Sequence, residues 1–218
     1  RMKCESGPVP SVRRGQAQVA QSTILPYTTG YDPAFKSEMG DYDPIRARAL
    51  LDLYGFKDRN GDGWRERPDG SPLLLDIATE PEQIYRAYNE LWQKFMKAVG
   101  IRVKFSTQQW PENLKSADAG KLMMWMLGTS AERPDGQASL GRLYSPLWGA
   151  ENFARFKLDA FDRLYEQMLV LPDGPERLAL LEQAKRLSIA YMPYKVHVHR
   201  IFTDLVHPWM IGFRRPIF

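Results

Sequence analysis

The chain has 218 residues, 44% of them hydrophobic and 26% charged, which places it in the globular range and excludes a disordered chain. Its 30 basic and 26 acidic residues leave a formal charge of +4, but acids alternate with bases, as in Asp58-Arg59, Arg65-Glu66-Arg67 and Glu176-Arg177, so no concentrated basic face for nucleic acid is drawn. The single cysteine, Cys4, excludes an internal disulfide framework and a multi-cysteine zinc site, and no stretch approaches the roughly 20 apolar residues of a membrane span. Arg1, Met2 and Lys3 supply no apolar stretch before Cys4, so that residue reads as incidental near a loose terminus and not as a lipid anchor.

Residues 1–42 are rich in Gly, Pro, Ser and Thr without periodicity, and read as an irregular wrapping segment. Asp43-Pro44 opens a helix over 44–54: Asp43 suits the N-cap, Pro44 the first helical position, and Gly55 the stop. The apolar run Leu73-Leu74-Leu75-Asp76-Ile77-Ala78 predicts a buried strand. Ile84, Tyr88, Leu91, Phe95 and Val99 then form the stripe of an amphipathic helix closed by Gly100, and Ile101 to Phe105 alternates as a half-exposed strand does. Strand, helix and strand in this order predict a parallel crossover, hence an α/β core. A short helix from Pro111 toward Gly120 comes next, then Leu122 to Leu127 as a central strand, and loop over 128–157. Helices are expected over 159–170 and 175–191, the second with Leu180, Ala184, Leu187 and Tyr191 on its apolar side, and a strand over 194–200. The tail to Phe218 is aromatic and irregular.

Asp58, Asn60, Asp62, Gly63 and Glu66 stand at positions 1, 3, 5, 6 and 9 of an EF-hand calcium loop. The likeness stops at Asp69, where a bidentate Glu is needed, and a strand comes where a second helix should, so the segment reads as a helix-to-strand turn. His197 and His199 share one side of a strand, yet no third ligand lies near them, and no metal is assigned. Ser139 lacks the glycine spacing of a nucleophile elbow, and neither a Cys-His signature nor a phosphate loop is present, so no enzyme activity and no cofactor is expected. The loop Gly128 to Gly136, with Glu132 and Asp135, comes after a strand at the sheet end where α/β proteins usually bind ligands.

Tyr31-Asp32-Pro33, Tyr42-Asp43-Pro44, the helix end Leu50-Leu51 to Gly55 and the turn Asp58-Arg59-Asn60-Gly61-Asp62-Gly63 together resemble the peptide and nickel-type (family 5, cluster C) solute-binding proteins of ABC importers. The likeness continues through Ala98-Val99-Gly100-Ile101, Pro134-Asp135-Gly136 and Ala190 to Tyr194, covering the chain from about Gly15 to Phe218. The resemblance implies the C-terminal lobe of a two-lobed periplasmic-binding-protein-like fold: one mixed sheet with helices on its faces. On that reading 43–211 is the ligand-closing lobe, and 212–218 starts the crossover toward a first lobe absent from this chain.

It further implies an extracytoplasmic, periplasmic protein that binds a peptide or similar amine-bearing solute by lobe closure and hands it to ABC importer membrane subunits, with the lobe alone binding weakly. Peptide-binding relatives carry a motif of the form Trp-x-x-Asp-Tyr-Pro-Asp after this strand, the first Asp taking the peptide's amino terminus. Aligning Pro134-Asp135 puts Glu132 at that Asp and Thr129 at the Trp, so the charge is kept on a longer stem and an aromatic wall is lost. Glu132, Asp135, Thr129, Ser130 and Arg133 are the expected ligand-binding residues. Two other readings are a nucleic-acid-binding domain, from the net charge, and a calcium-dependent module through Asp58 to Glu66.

Overall fold

The computed structural model describes residues 12–37 and 40–215. Cys4 and the last residues of the expected crossover lie outside them. The chain divides into two compact units, Asp41–Gly128 and a unit formed by Arg1–Gly40 with Thr129–Phe218.

In the unit of 41–128, the first helix, α1 (Pro44–Leu53), starts where sequence places it: the Asp43 carboxylate accepts from the N–H groups of Ile45 and Arg46 at 3.1 and 2.9 Å, and Pro44 occupies the first turn. Strand β2 (Leu74–Thr79), helix α2 (Gln83–Ala98) and strand β3 (Arg102–Thr107) form the expected parallel crossover, with Leu74 opposite Arg102 and Thr79 opposite Thr107. Tyr88 and Val99 of the predicted α2 stripe are buried, as are Ile77 and Ala78 of β2. Helix α3 (Trp110–Asp118) leads to β4 (Met124–Trp125), which pairs with β2 in the order β3-β2-β4. Here the sequence expectation fails: β4 is a two-residue edge strand, and β2 is central. The apolar run at 122–127 reflects side-chain packing, including the Trp125 ring 4.8 Å from that of Trp110, and not ladder pairing on both sides.

In the other unit, β1 (Ala17–Val19) lies within the segment expected to be irregular, and pairs antiparallel with β5 (Val198–Arg200). The strands therefore form a parallel and an antiparallel sheet, separately, in place of one mixed sheet. The loop expected at 128–157 contains helix α4 (Gln137–Gly141) and a 3-10 turn at Ser145–Leu147. The buried Asn152 amide staples the chain beyond this turn, donating to the carbonyls of Tyr144 and Phe156 and accepting from Phe156 N–H. Helices α5 (Asp159–Val170) and α6 (Pro175–Tyr191) pack on α4 and on Ile24 through Leu140, Leu143, Phe161, Tyr165, Met168, Leu181 and Ala184. Each fully buried aliphatic or Phe side chain in this cluster contributes about 1.5–3 kcal/mol of transfer free energy.

The inner face of α6 differs from the apolar stripe read in sequence. Arg177, Leu181, Ala184, Lys185 and Ser188 are buried, Leu180 and Leu187 pack at the edge, and Tyr191 is exposed. Lys185 is carried inside by an ion pair with Glu182 and by the Phe35 ring, 4.4 Å from its ammonium. Ser188 donates to the Lys185 carbonyl at 2.7 Å.

Candidate functional site: the loop between β4 and α4

Residues 129–136 are anchored at one end. Thr29 donates from its backbone N–H (3.1 Å) and its hydroxyl (3.0 Å) to the Pro134 carbonyl, and bridges to Asp135. One Asp135 carboxylate oxygen accepts from Gln137 N–H at 2.9 Å, at the start of α4. Its other oxygen meets Arg177 Nη2 at 2.7 Å. The remainder of the loop carries Ser130, Glu132 and Arg133 exposed and Thr129 half-buried. Among the described residues Glu132 makes no ion pair, with Arg133 or with any other base, so its carboxylate is available to an incoming group. The structure thus separates the five residues read from sequence: Glu132, Ser130 and Arg133 reach solvent, Thr129 is half-covered, and Asp135 has both carboxylate oxygens engaged.

Arg177 is the residue that sequence reading passed over. It is 6% exposed, and its guanidinium is shared among the Met168 carbonyl (Nε, 3.2 Å), Asp173 (Nη1, 3.0 Å), Asp135 and the Gln137 side-chain oxygen. Local sequence carries no signal for it, because Asp135 and Gln137, which hold it inside, come from a segment some 40 residues away.

The acidic turn is laced by hydrogen bonds to its own backbone. Asp58 accepts from the N–H groups of Gly61 (2.7 Å) and Gly63 (2.8 Å), Asn60 from Asp62, and Glu66 from Arg59. Asp62 is ion-paired to Arg102 at 2.6 Å, and the Arg102 guanidinium lies over Trp64. Oxygens of Asp58, Asp62 and Glu66 lie within 4.8 Å of one another, and each of these carboxylates also accepts from a donor of the protein. Gly61 and Gly63 have φ of +78° and +87°, which is why glycines occupy this helix-to-strand turn. His199 packs edge-on against Tyr31, and burial lowers the pKa of both His197 and His199, keeping them neutral. Among the described residues neither joins a group of three potential metal ligands.

At the end of β2, Glu80 is buried and its pKa is raised by desolvation, against the lowering effect of Tyr85. Asn113, fully buried, donates to the Thr79 carbonyl at 3.0 Å and thereby ties α3 to the end of the central strand.

Residues 9–151, more than half of the chain, match the family profile described as bacterial extracellular solute-binding proteins, family 5 (middle part). The chain belongs to this family. Family 5 relatives include di/tripeptide-binding protein 2 of Pseudomonas aeruginosa, 29% identical over 205 residues, and heme-binding protein A of Haemophilus influenzae, 24% identical over 209 residues. These matches take in 91% and 94% of this chain but 36% of each relative, so the chain spans just over a third of their length. Among solved structures, the oligopeptide-binding protein AppA of Bacillus subtilis, in complex with a nonapeptide, superposes with a TM-score of 0.80 at 21% identity, over 88% of this chain and 38% of that one. NikA of Brucella suis, in complex with Fe(III)-EDTA, gives 0.76 at 22% identity, over 88% and 39%. The fold is therefore that of part of a two-lobed family 5 binding protein, α/β in class. No helix of the described residues is long and apolar enough to cross a membrane.

Proposed function

We propose that this chain is the closing lobe of a periplasmic solute-binding protein that delivers a peptide, or a similar amine-bearing solute, to ABC importer membrane subunits. The observation that carries this reading is the family 5 match over 9–151 together with an exposed, unpaired Glu132 in the loop after β4. Residues 43–211 act as the closing lobe and 212–218 begin the return to the other lobe, which supplies the remaining pocket groups. The lobe binds and releases, with no covalent chemistry.

In the bound state Glu132 accepts from the solute's ammonium, Ser130 and Thr129 offer hydroxyls, and Arg133 faces an anionic part. Asp135, still carrying part of its surface to solvent, lies next to the solute at the anchored end of the loop. A charge-assisted hydrogen bond to a desolvated amine is worth about 1.5–3 kcal/mol. In the full-length protein, Glu132→Gln is therefore expected to weaken binding of dialanine by about ten- to a hundredfold in calorimetry, with Tm nearly unchanged. Equal affinity in parent and variant would refute the role given to Glu132.

A further inference from the structure

We infer that Arg177 is a positioning residue for solute recognition: from the inner face of α6 it fixes the anchored end of the 129–136 loop, so that Glu132 is presented in one place. The inference rests on the role proposed for Glu132. Three observations carry it. Arg177 is nearly buried, and a guanidinium in that setting needs every N–H directed at a fixed acceptor. Its acceptors come from two sources: the end of α5 and the α5–α6 turn through Met168 and Asp173, and the loop–α4 junction through Asp135 and Gln137. Finally, the junction is also held by Thr29 on the Pro134 carbonyl, while residues 130, 132 and 133 have no such tether among the described residues.

The consequence is a fixed base from which the short segment 130–133 projects, so that the positions open to Glu132 are restricted before the solute arrives. A carboxylate gains from a solute ammonium only if its place is set before binding; otherwise ordering the loop offsets part of the contact. Lysine at 177 would keep the charge yet lose the planar fork, and one ammonium cannot serve Met168, Asp173, Asp135 and Gln137 together.

The test uses the full-length protein, with dialanine and N-acetyl-dialanine as probes, in the parent, Glu132→Gln, Arg177→Lys and the double variant. The parent is expected to prefer the free amine by about tenfold or more, Glu132→Gln to abolish that preference, and Arg177→Lys to reduce it severalfold. Arg177→Lys added to Glu132→Gln should change the preference no further, because no carboxylate is left to misplace. Gln137→Leu, which removes one loop contact and leaves Arg177 intact, should act in the same direction if Arg177→Lys fails to fold. Amide hydrogen exchange should quicken over residues 129–136 in both variants.

An amine preference lost in Glu132→Gln but intact in a folded Arg177→Lys or Gln137→Leu protein would overturn the inference and leave the proposed function standing. A parent with no amine preference would overturn the role of Glu132. The exchange rates of residues 129–136 would then decide whether Arg177 holds the loop, and unchanged rates would overturn that as well.

Discussion

Gly136 has φ of −66° and ψ of −18°, a conformation open to any residue, so its lack of a side chain has a different cause. A Cβ built there would lie 2.2 Å from the Thr29 carbonyl oxygen and 3.1 Å from Ile24 Cγ2. The 134–137 junction passes so close to the Thr29 backbone that only hydrogen fits between them. Gly136→Ala must therefore push two backbones apart, at about 1–3 kcal/mol, and should lower Tm by several degrees in a thermal melt. Gly174→Ala, likewise at a helix N-cap, is the matched control: nothing lies within 4 Å of a Cβ at Gly174, so the change carries the cap preference alone, about 1 kcal/mol or less. In sequence Gly136 looks like a turn residue after Pro134-Asp135. The neighbour that excludes a methyl comes from a segment far away in the chain, and no local pattern reports it.

Among the elements, α1 is the one most dependent on local signals. None of its residues is buried, and Ile45, Leu53 and the adjoining Tyr54 are exposed, so its start relies on Asp43 and Pro44 more than on packing. Asp43→Ala removes two acceptor contacts to first-turn N–H groups and should cost about 1 kcal/mol, whereas Asp43→Asn should recover most of it. Hydrogen exchange of the α1 amides distinguishes the two variants, with faster exchange in the alanine variant alone. Helix α6 is the opposite case. Its range, 175–191, was readable, but its inner face was not, because Arg177, Lys185 and Ser188 enter the interior only by virtue of partners on other segments or on their own turn. Apolar periodicity cannot find a buried face whose polar tips are individually satisfied.

For the molecule taken entire, the half-buried His197 and His199 and the buried Glu80 give stability opposite pH dependences. Burial lowers the folded-state pKa of His197 and His199, so below the ordinary value of about 6.5 the unfolded chain takes up protons that the folded chain refuses. Their contribution is present above that value and is lost as pH falls through the folded pKa. Glu80 has the reverse sign: its raised pKa makes the folded state hold a proton longer, so its contribution is lost as pH rises from the ordinary carboxyl value through the folded one. Thermal melts from pH 7.5 down to 5 should show Tm falling in the parent, and falling less steeply in the His197→Asn/His199→Asn double variant. Parallel profiles would show that the two imidazoles are not what sets the acid limit.

Short stretches of sequence were enough to place the capped start of α1, the β2-α2-β3 crossover, the glycine-bearing turn at 58–66, and the combination of motifs that pointed to family 5. Glu132 was a candidate by its place after a strand and by the alignment of Pro134-Asp135 with the motif of the family it resembles; the structure shows it exposed, and its role stays a proposal. Tertiary contacts were needed to make residues 17–19 a strand, because their partners are residues 198–200 and three residues carry no signal of their own. They likewise stop β4 after two residues at a sheet edge, divide the strands into two sheets, and hold Asp135 on Arg177. One physical cause is common to all of these. A cap, a turn or an amphipathic stripe is stabilised by neighbours within a few residues, whereas strand pairing and buried ion pairs exist only once distant segments meet, and their free energy is written in no single stretch of chain.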